Sequence, residues 1–236
     1  MSPENASEDD QYQALAFYIV ADVSYSMHES GGISAANDLL TQVHDAITAE
    51  PVIADVVRLG VIDFSDEAQV LLRLDDLRDV TTMPHLKERG GTSFQAAFRL
   101  LRTEIDNDVT TLKRDGYKVF RPAVFFITDG QPTDNDTTLQ AAFSDLTAQT
   151  FKYRPNIIPF GVGDATKASL APWVFPQTGE KQMRSYVAKD GANPAKAITE
   201  MAHLLISSIL ASATSATDPG ATAALVLPED DEGDWL

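Results

Sequence analysis

The chain has 236 residues, 44% of them hydrophobic, and a formal net charge of −17; that length suits one α/β core with a tail. The acidic excess argues against nucleic acid or an anionic membrane surface as partner, because both need clustered Lys and Arg. Cysteine is absent, which removes disulfide frameworks, thiolate metal sites and cysteine nucleophiles.

Much of the charge is terminal. Residues 1–10 carry Glu4, Glu8, Asp9 and Asp10 without a base, so no secretory signal is visible and cytoplasmic residence is expected. Residues 218–236 carry Asp218, Glu229, Asp230, Asp231, Glu232 and Asp234, again without a base. The expected organisation is therefore an acidic, disordered N-terminus over 1–12, one folded domain over 13–213, and a disordered acidic tail over 214–236.

The run Leu15 to Ala21 is continuously apolar, as expected for a strand covered on both faces. Gly31-Gly32 opens a loop, and Leu39, Leu40, Val43 and Ile47 recur at helical spacing, predicting a helix over 34–49 that stops at Pro51. Val56 to Phe64 reads as a second strand. After Ser65-Asp66-Glu67 the run Ala68 to Leu74 folds back as an antiparallel edge. Phe94, Ala97, Phe98, Leu101 and Ile105 mark one face of a helix, with Thr92 or Ser93 suited to cap it. Ala123 to Ile127 is another buried strand, followed by a turn-rich loop and a helix from 138 to 152. Strands at 157–162 and 184–187 and an amphipathic helix over 194–213 complete the chain. Within that helix the apolar stretch Ile198 to Leu210 is interrupted by Glu200 and His203 and is too short to span a bilayer unaided. The pattern predicts a doubly wound α/β fold, mostly parallel with one antiparallel edge strand.

Three segments carry the chemistry: Asp22-Val23-Ser24-Tyr25-Ser26, Gly91-Thr92-Ser93 and Thr128-Asp129-Gly130. Each lies at a predicted strand end or helix start, so a parallel sheet brings all three to one edge. Their oxygens, from Asp22, Ser24, Ser26, Thr92 and Asp129, form the hard donor set that Mg²⁺ or Mn²⁺ takes in near-octahedral coordination. An extended segment or a loop leaving the strand would equally turn Asp22, Ser24 and Ser26 to one point.

The pattern Asp-x-Ser-x-Ser, then Thr, then Asp resembles the metal-ion-dependent adhesion site of von Willebrand factor A domains, over about Leu15 to Ala213. The resemblance implies that Ser24, Ser26 and Thr92 reach the ion through hydroxyls and that Asp22 and Asp129 act directly or through water. It also implies one open position for a carboxylate from a protein partner. Tyr25 departs from the family, standing where Gly is usual. Within the family, the wording Phe125 to Asp134 and the Gly-Gly-Thr-Ser loop are similar to TerY-type proteins of bacterial tellurite-resistance and stress-response clusters. That likeness implies a cytoplasmic scaffold with no catalytic residues.

Other readings weigh less. A phosphotransfer enzyme of the haloacid dehalogenase type needs a second Asp where Ser24 stands, and no Gly-x-Ser-x-Gly elbow is present. An adaptor subunit of an ATP-driven chelatase or AAA-type machine shares the adhesion motif and stays open as an alternative. His28 lies near the first motif, but a hard-ion site has little need of imidazole. Gly161-Val162-Gly163 lacks the rest of a nucleotide fingerprint and reads as a strand-ending turn. The acidic tail offers the same carboxylate chemistry as a partner and is a second candidate for the open position, in cis or on a neighbouring molecule.

Overall fold

The computed structural model describes residues 12–179, 182–189, 192–217 and 225–227. The acidic segment expected to be disordered at 1–11, and most of that at 218–236, lies outside the described residues.

In chain order the elements are β1 (Gln13–Asp22), α1 (Tyr25–Glu29), α2 (Gly32–Thr48), α3 (Pro51–Val56), β2 (Val57–Phe64), β3 (Ala68–Asp75), α4 (Phe94–Arg114), β4 (Lys118–Val119), β5 (Ala123–Thr128), α5 (Asp136–Thr147), β6 (Asn156–Gly161), α6 (Lys167–Leu170), β7 (Tyr186–Val187) and α7 (Pro194–Thr217). The sheet runs β3-β2-β1-β5-β6-β7, with β4 beside the start of β1. Pairing is parallel except between β2 and β3. This is the mixed α/β sheet expected, with the antiparallel strand at the edge.

β1 is central, which is why its sequence is apolar without alternation: from Ala14 to Asp22 every residue is buried. One face carries α2, α3 and α7, whose Leu39, Val43, Met201 and Leu205 pack on Phe17, Ile19 and Phe125. The opposite face carries α4 and α5. There Phe126 sits 4.9 Å from Phe64, 4.8 Å from Phe94 and 5.4 Å from Phe98, centroid to centroid. On the same face the Tyr18 hydroxyl donates to Asp108 Oδ2 at 2.9 Å. Gly60, paired with Tyr18, leaves room for that ring: a Cβ there would lie 3.0 Å from it.

Several boundaries differ from expectation. Pro51 does not only end a helix but opens α3, because its missing N–H is harmless in a first turn. The helix expected over 138–152 runs from Asp136 to Thr147, capped by Asn135, whose side chain accepts from the amides of Thr137 and Thr138. α7 continues past 213 to Thr217. Over Pro194–Ala216, a longer stretch than the Ile198 to Leu210 run, it is long and apolar enough, by length and composition, to cross a bilayer. Its Ile198, Met201, Leu205 and Ile209 are nevertheless buried in the core. Nor is all of the segment after 213 outside the described structure. Leu225 and Leu227 pack on the core beside α7. The Ser208 hydroxyl donates to the Val226 carbonyl, and the Val226 amide donates to Ser212 Oγ at 2.9 Å. Residues 225–227 therefore run back along α7 toward its N-terminal end.

β6 changes neighbours on its outer side. The Ile157 amide donates to the Phe175 carbonyl at 2.7 Å, whereas β7 joins only at Phe160 and Gly161. Pro159 lies between the two, where the ladder requires no donor from it.

Candidate metal centre

The C-terminal ends of β1 and β5 meet as neighbours, with Ala21 opposite Ile127. Asp22, the last residue of β1, is fully buried. Its Oδ1 accepts from the Ser24 amide at 2.9 Å and its Oδ2 from the Thr128 hydroxyl at 2.7 Å. Burial pushes the Asp22 carboxyl up to about 6; the bonds from Thr128 and Ser24 pull it down, and the Asp129 charge adds to the rise.

Of the two routes for the first motif, the chain takes the loop. Ser24 keeps an extended backbone in the position just before α1, without a side-chain capping bond, and the first turn of α1 contains Ser26. The Ser24 and Ser26 hydroxyls come within 3.2 Å of each other, and Ser26 Oγ donates to Asp129 Oδ1 at 3.0 Å across 103 residues. Asp129 is raised as well, by burial first, with Ser26 opposing and the Asp164 charge reinforcing the shift. Among the described residues no Lys, Arg or His forms an ion pair with Asp22 or Asp129. Two buried carboxylates thus share one small cluster without a cationic side chain.

Thr92 enters on the loop before α4. The Gly90 carbonyl accepts from the Tyr25 amide at 3.3 Å, and the Thr92 carbonyl accepts from the Thr133 amide at 2.9 Å and hydroxyl at 3.1 Å. This loop is therefore tied to both other motifs through its backbone. The cap of α4 is Ser93, whose Oγ accepts from the Ala96 amide at 3.1 Å, so Thr92 is spared the capping role. Four of the expected residues, Asp22, Ser24, Ser26 and Asp129, are joined through direct hydrogen bonds, while buried Thr92 is held alongside by its main chain.

The supporting side chains were missed. Thr128 holds Asp22, and Asp134 receives the Ser93 hydroxyl at 2.6 Å and the Gln95 amide at 3.1 Å. Asp63, at the end of β2, is buried against Arg89 and Gln69. The one available signal was the position of Thr128 and Asp134 on either side of Asp129 in the same loop. Gly163, at φ 58°, allows the turn after β6 to pass beside Asp129, where a Cβ would lie 3.4 Å from the Asp129 Cβ. Tyr25 points outward, 56% exposed, with its hydroxyl donating to Glu29 at 2.7 Å. His28 is exposed and 4.0 Å from Glu88, away from the cluster.

Among the described residues no three His, Cys, Asp or Glu side chains gather as a metal-binding group; the cluster combines two carboxylates with hydroxyls. Residues 17–132 match the von Willebrand factor type A domain family. Solved structures agree in fold. Proximal thread matrix protein 1 from the mussel byssus, determined with a zinc-occupied MIDAS motif, aligns at TM-score 0.57 and 15% identity over 84% of this chain and 48% of that one. The SpRpn10 von Willebrand factor type A domain aligns at 0.53 and 12% identity over 79% of this chain and 95% of that one. The PilB minor pilin from Streptococcus sanguinis, as a D319A mutant, aligns at 0.59 and 11% identity over 92% and 65%. The chain spans about half the length of the mussel protein it matches. No curated protein matches the sequence.

Proposed function

We propose that this chain is a divalent-cation-dependent protein-binding module without catalytic turnover, its ion held by Asp22, Ser24, Ser26, Thr92 and Asp129. The observation that carries the reading is the pair of buried carboxylates, Asp22 and Asp129, linked through the Ser24 amide and the Ser24 and Ser26 hydroxyls, with no cationic side chain among the described residues paired to them. Burying such charge without a counter-charge is costly, and an all-oxygen donor set matches Mg²⁺ or Mn²⁺. The hydroxyls contribute no formal charge, so a bound cation stays electrophilic toward a further carboxylate. The Asp or Glu of a partner protein supplies it. Thr128 and Asp134 act through their neighbours, fixing Asp22 and the Thr92-Ser93 loop in place.

The wording of residues 125–134 supports a narrower reading as a scaffold in a bacterial tellurite-resistance or stress system. Titration calorimetry with MgCl₂ and MnCl₂ tests the ion, and capture of protein partners with and without EDTA tests its use. Saturable ion binding that Asp129→Ala weakens together with capture is expected. Absence of ion binding at millimolar concentration, or capture that persists in EDTA, overturns the proposal.

A further inference from the structure

At the other end of the sheet lies a feature opposite in charge to the rest of the chain. A cavity of about 310 Å³ opens between the last turns of α4, the start of β5 and the loop entering β6. Lys113, Arg121, Lys152 and Arg154 line it together with Phe120 and Tyr153, and no carboxylate does. Among the described residues none of these four cations forms an ion pair, although acids outnumber bases 35 to 18 in the chain.

Three of the cations are held in position. Arg121 Nε donates to the Arg154 carbonyl at 2.9 Å, and its guanidinium lies 5.5 Å from the centre of the Phe175 ring. Arg154 Nη1 donates to the Gln149 carbonyl at 3.2 Å, and Lys113 Nζ stands 4.8 Å from the centre of the Tyr153 ring. Burial first, and then the Arg154 charge, lower the pKa of Arg121, as expected where like charges are held together with no anion between them. Arg121, Arg154 and Lys113 are thus held around one hollow.

We infer that this cavity is a binding site for a phosphate-bearing small molecule. The guanidinium forks of Arg121 and Arg154 match the oxygens of a phosphate, and two lysines add compact charge. Phe120 and Tyr153 give an apolar wall for the group that carries the phosphate, and the volume falls in the range of small-ligand pockets. An acidic macromolecule carries the same sign of charge, but it meets the long-range repulsion of a chain at −17. A small dianion meets far less. β5 spans six residues, about 20 Å, between this cavity and the candidate metal centre, so the two sites are separable.

The test uses the full chain in EDTA, which prevents phosphate from binding through a divalent cation and makes the result independent of the proposed ion site. Potassium phosphate is titrated at constant ionic strength, balanced with KCl, and followed by two-dimensional NMR. Saturable shifts confined to residues 109–122 and 152–154 are expected, with affinity reduced at least about tenfold in Arg121→Gln/Arg154→Gln and an unchanged circular dichroism spectrum. Lys113→Gln, farther from any structural hydrogen bond, should weaken binding without altering the fold. AMP binding more tightly than inorganic phosphate at the same residues supports the apolar wall. Shifts reproduced by KCl alone, equal binding by both Gln variants, or tighter binding of a synthetic peptide of residues 228–236 than of either phosphate compound each overturn the assignment.

Discussion

Asp22→Asn separates the proposed cation role of this residue from its structural one. The amide keeps the shape of the carboxylate. Its Oδ1 still accepts from the Ser24 amide, and the Thr128 hydroxyl, which donates to Oδ2 at 2.7 Å, can rotate to accept from the new amide instead. Turning both bonds from charge-assisted to neutral costs about 2 kcal/mol, and removing a buried charge beside Asp129 offsets much of it. Without metal the variant should therefore remain within about 1 kcal/mol of the parent, about 2–4 °C in Tm for a chain of this size. A ligand at a hundred times its Kd stabilises by about 2.7 kcal/mol, which corresponds to about 5–10 °C. The parent should show that rise between EDTA and saturating MgCl₂ or MnCl₂ at matched chloride, and Asp22→Asn should not. Thermal unfolding followed by circular dichroism reads both. An equal rise in parent and variant would refute Asp22 as a ligand.

Three further outcomes follow. Phe126→Ala empties the centre of the ring cluster formed with Phe64, Phe94 and Phe98 and should cost about 3–5 kcal/mol in urea unfolding; a loss below 1 kcal/mol would show that the neighbours collapse into the space. Burial, against the opposing Tyr18 bond and with Glu104 adding to the rise, pushes Asp108 up to about 6. Its carboxyl ionises earlier in the unfolded chain, so stability should fall as pH rises from about 4 to about 6 and level off above that. Asp108→Asn should lessen this slope, the remainder coming from Asp22 and Asp129, which are raised in the same direction, and an unchanged pH profile would contradict the shift. Deleting residues 229–236 should tighten capture of partners if the chain's own acids compete for the ion, and unchanged capture removes that competition.

The layered fold was legible because burial on both faces leaves a plain signature. The runs ending at Asp22 and Thr128 carry no alternation, and the helical spacing of Phe94, Phe98, Leu101 and Ile105 marks the buried side of α4. The two-residue strand β4 carries no such pattern, since a pairing that short is set by its neighbours, whereas β7 falls inside the strand expected over 184–187. The candidate centre was legible in its oxygen-bearing side chains, which stand at strand ends in a recognisable order. Its support was not. Thr128 contacts Asp22 across 106 residues and Asp134 contacts Ser93 across 41, and contacts of that range leave no local spacing to detect. Ser208 and Ser212 stand within an apolar helix, where Ser212 donates back to the Ser208 carbonyl at 2.6 Å and both meet the main chain of the returning Val226.

The divided outer margin of β6 bears on how this molecule behaves among its own kind. With Phe175 occupying one end, a two-residue strand the other and Pro159 between them, there is no unbroken row of amides and carbonyls for a visiting strand to zip onto. The proline interrupts the template that cross-β growth requires. This side of the sheet resists edge-to-edge polymerisation, which leaves β3, at the opposite margin, as the strand through which copies would pair by main-chain ladders.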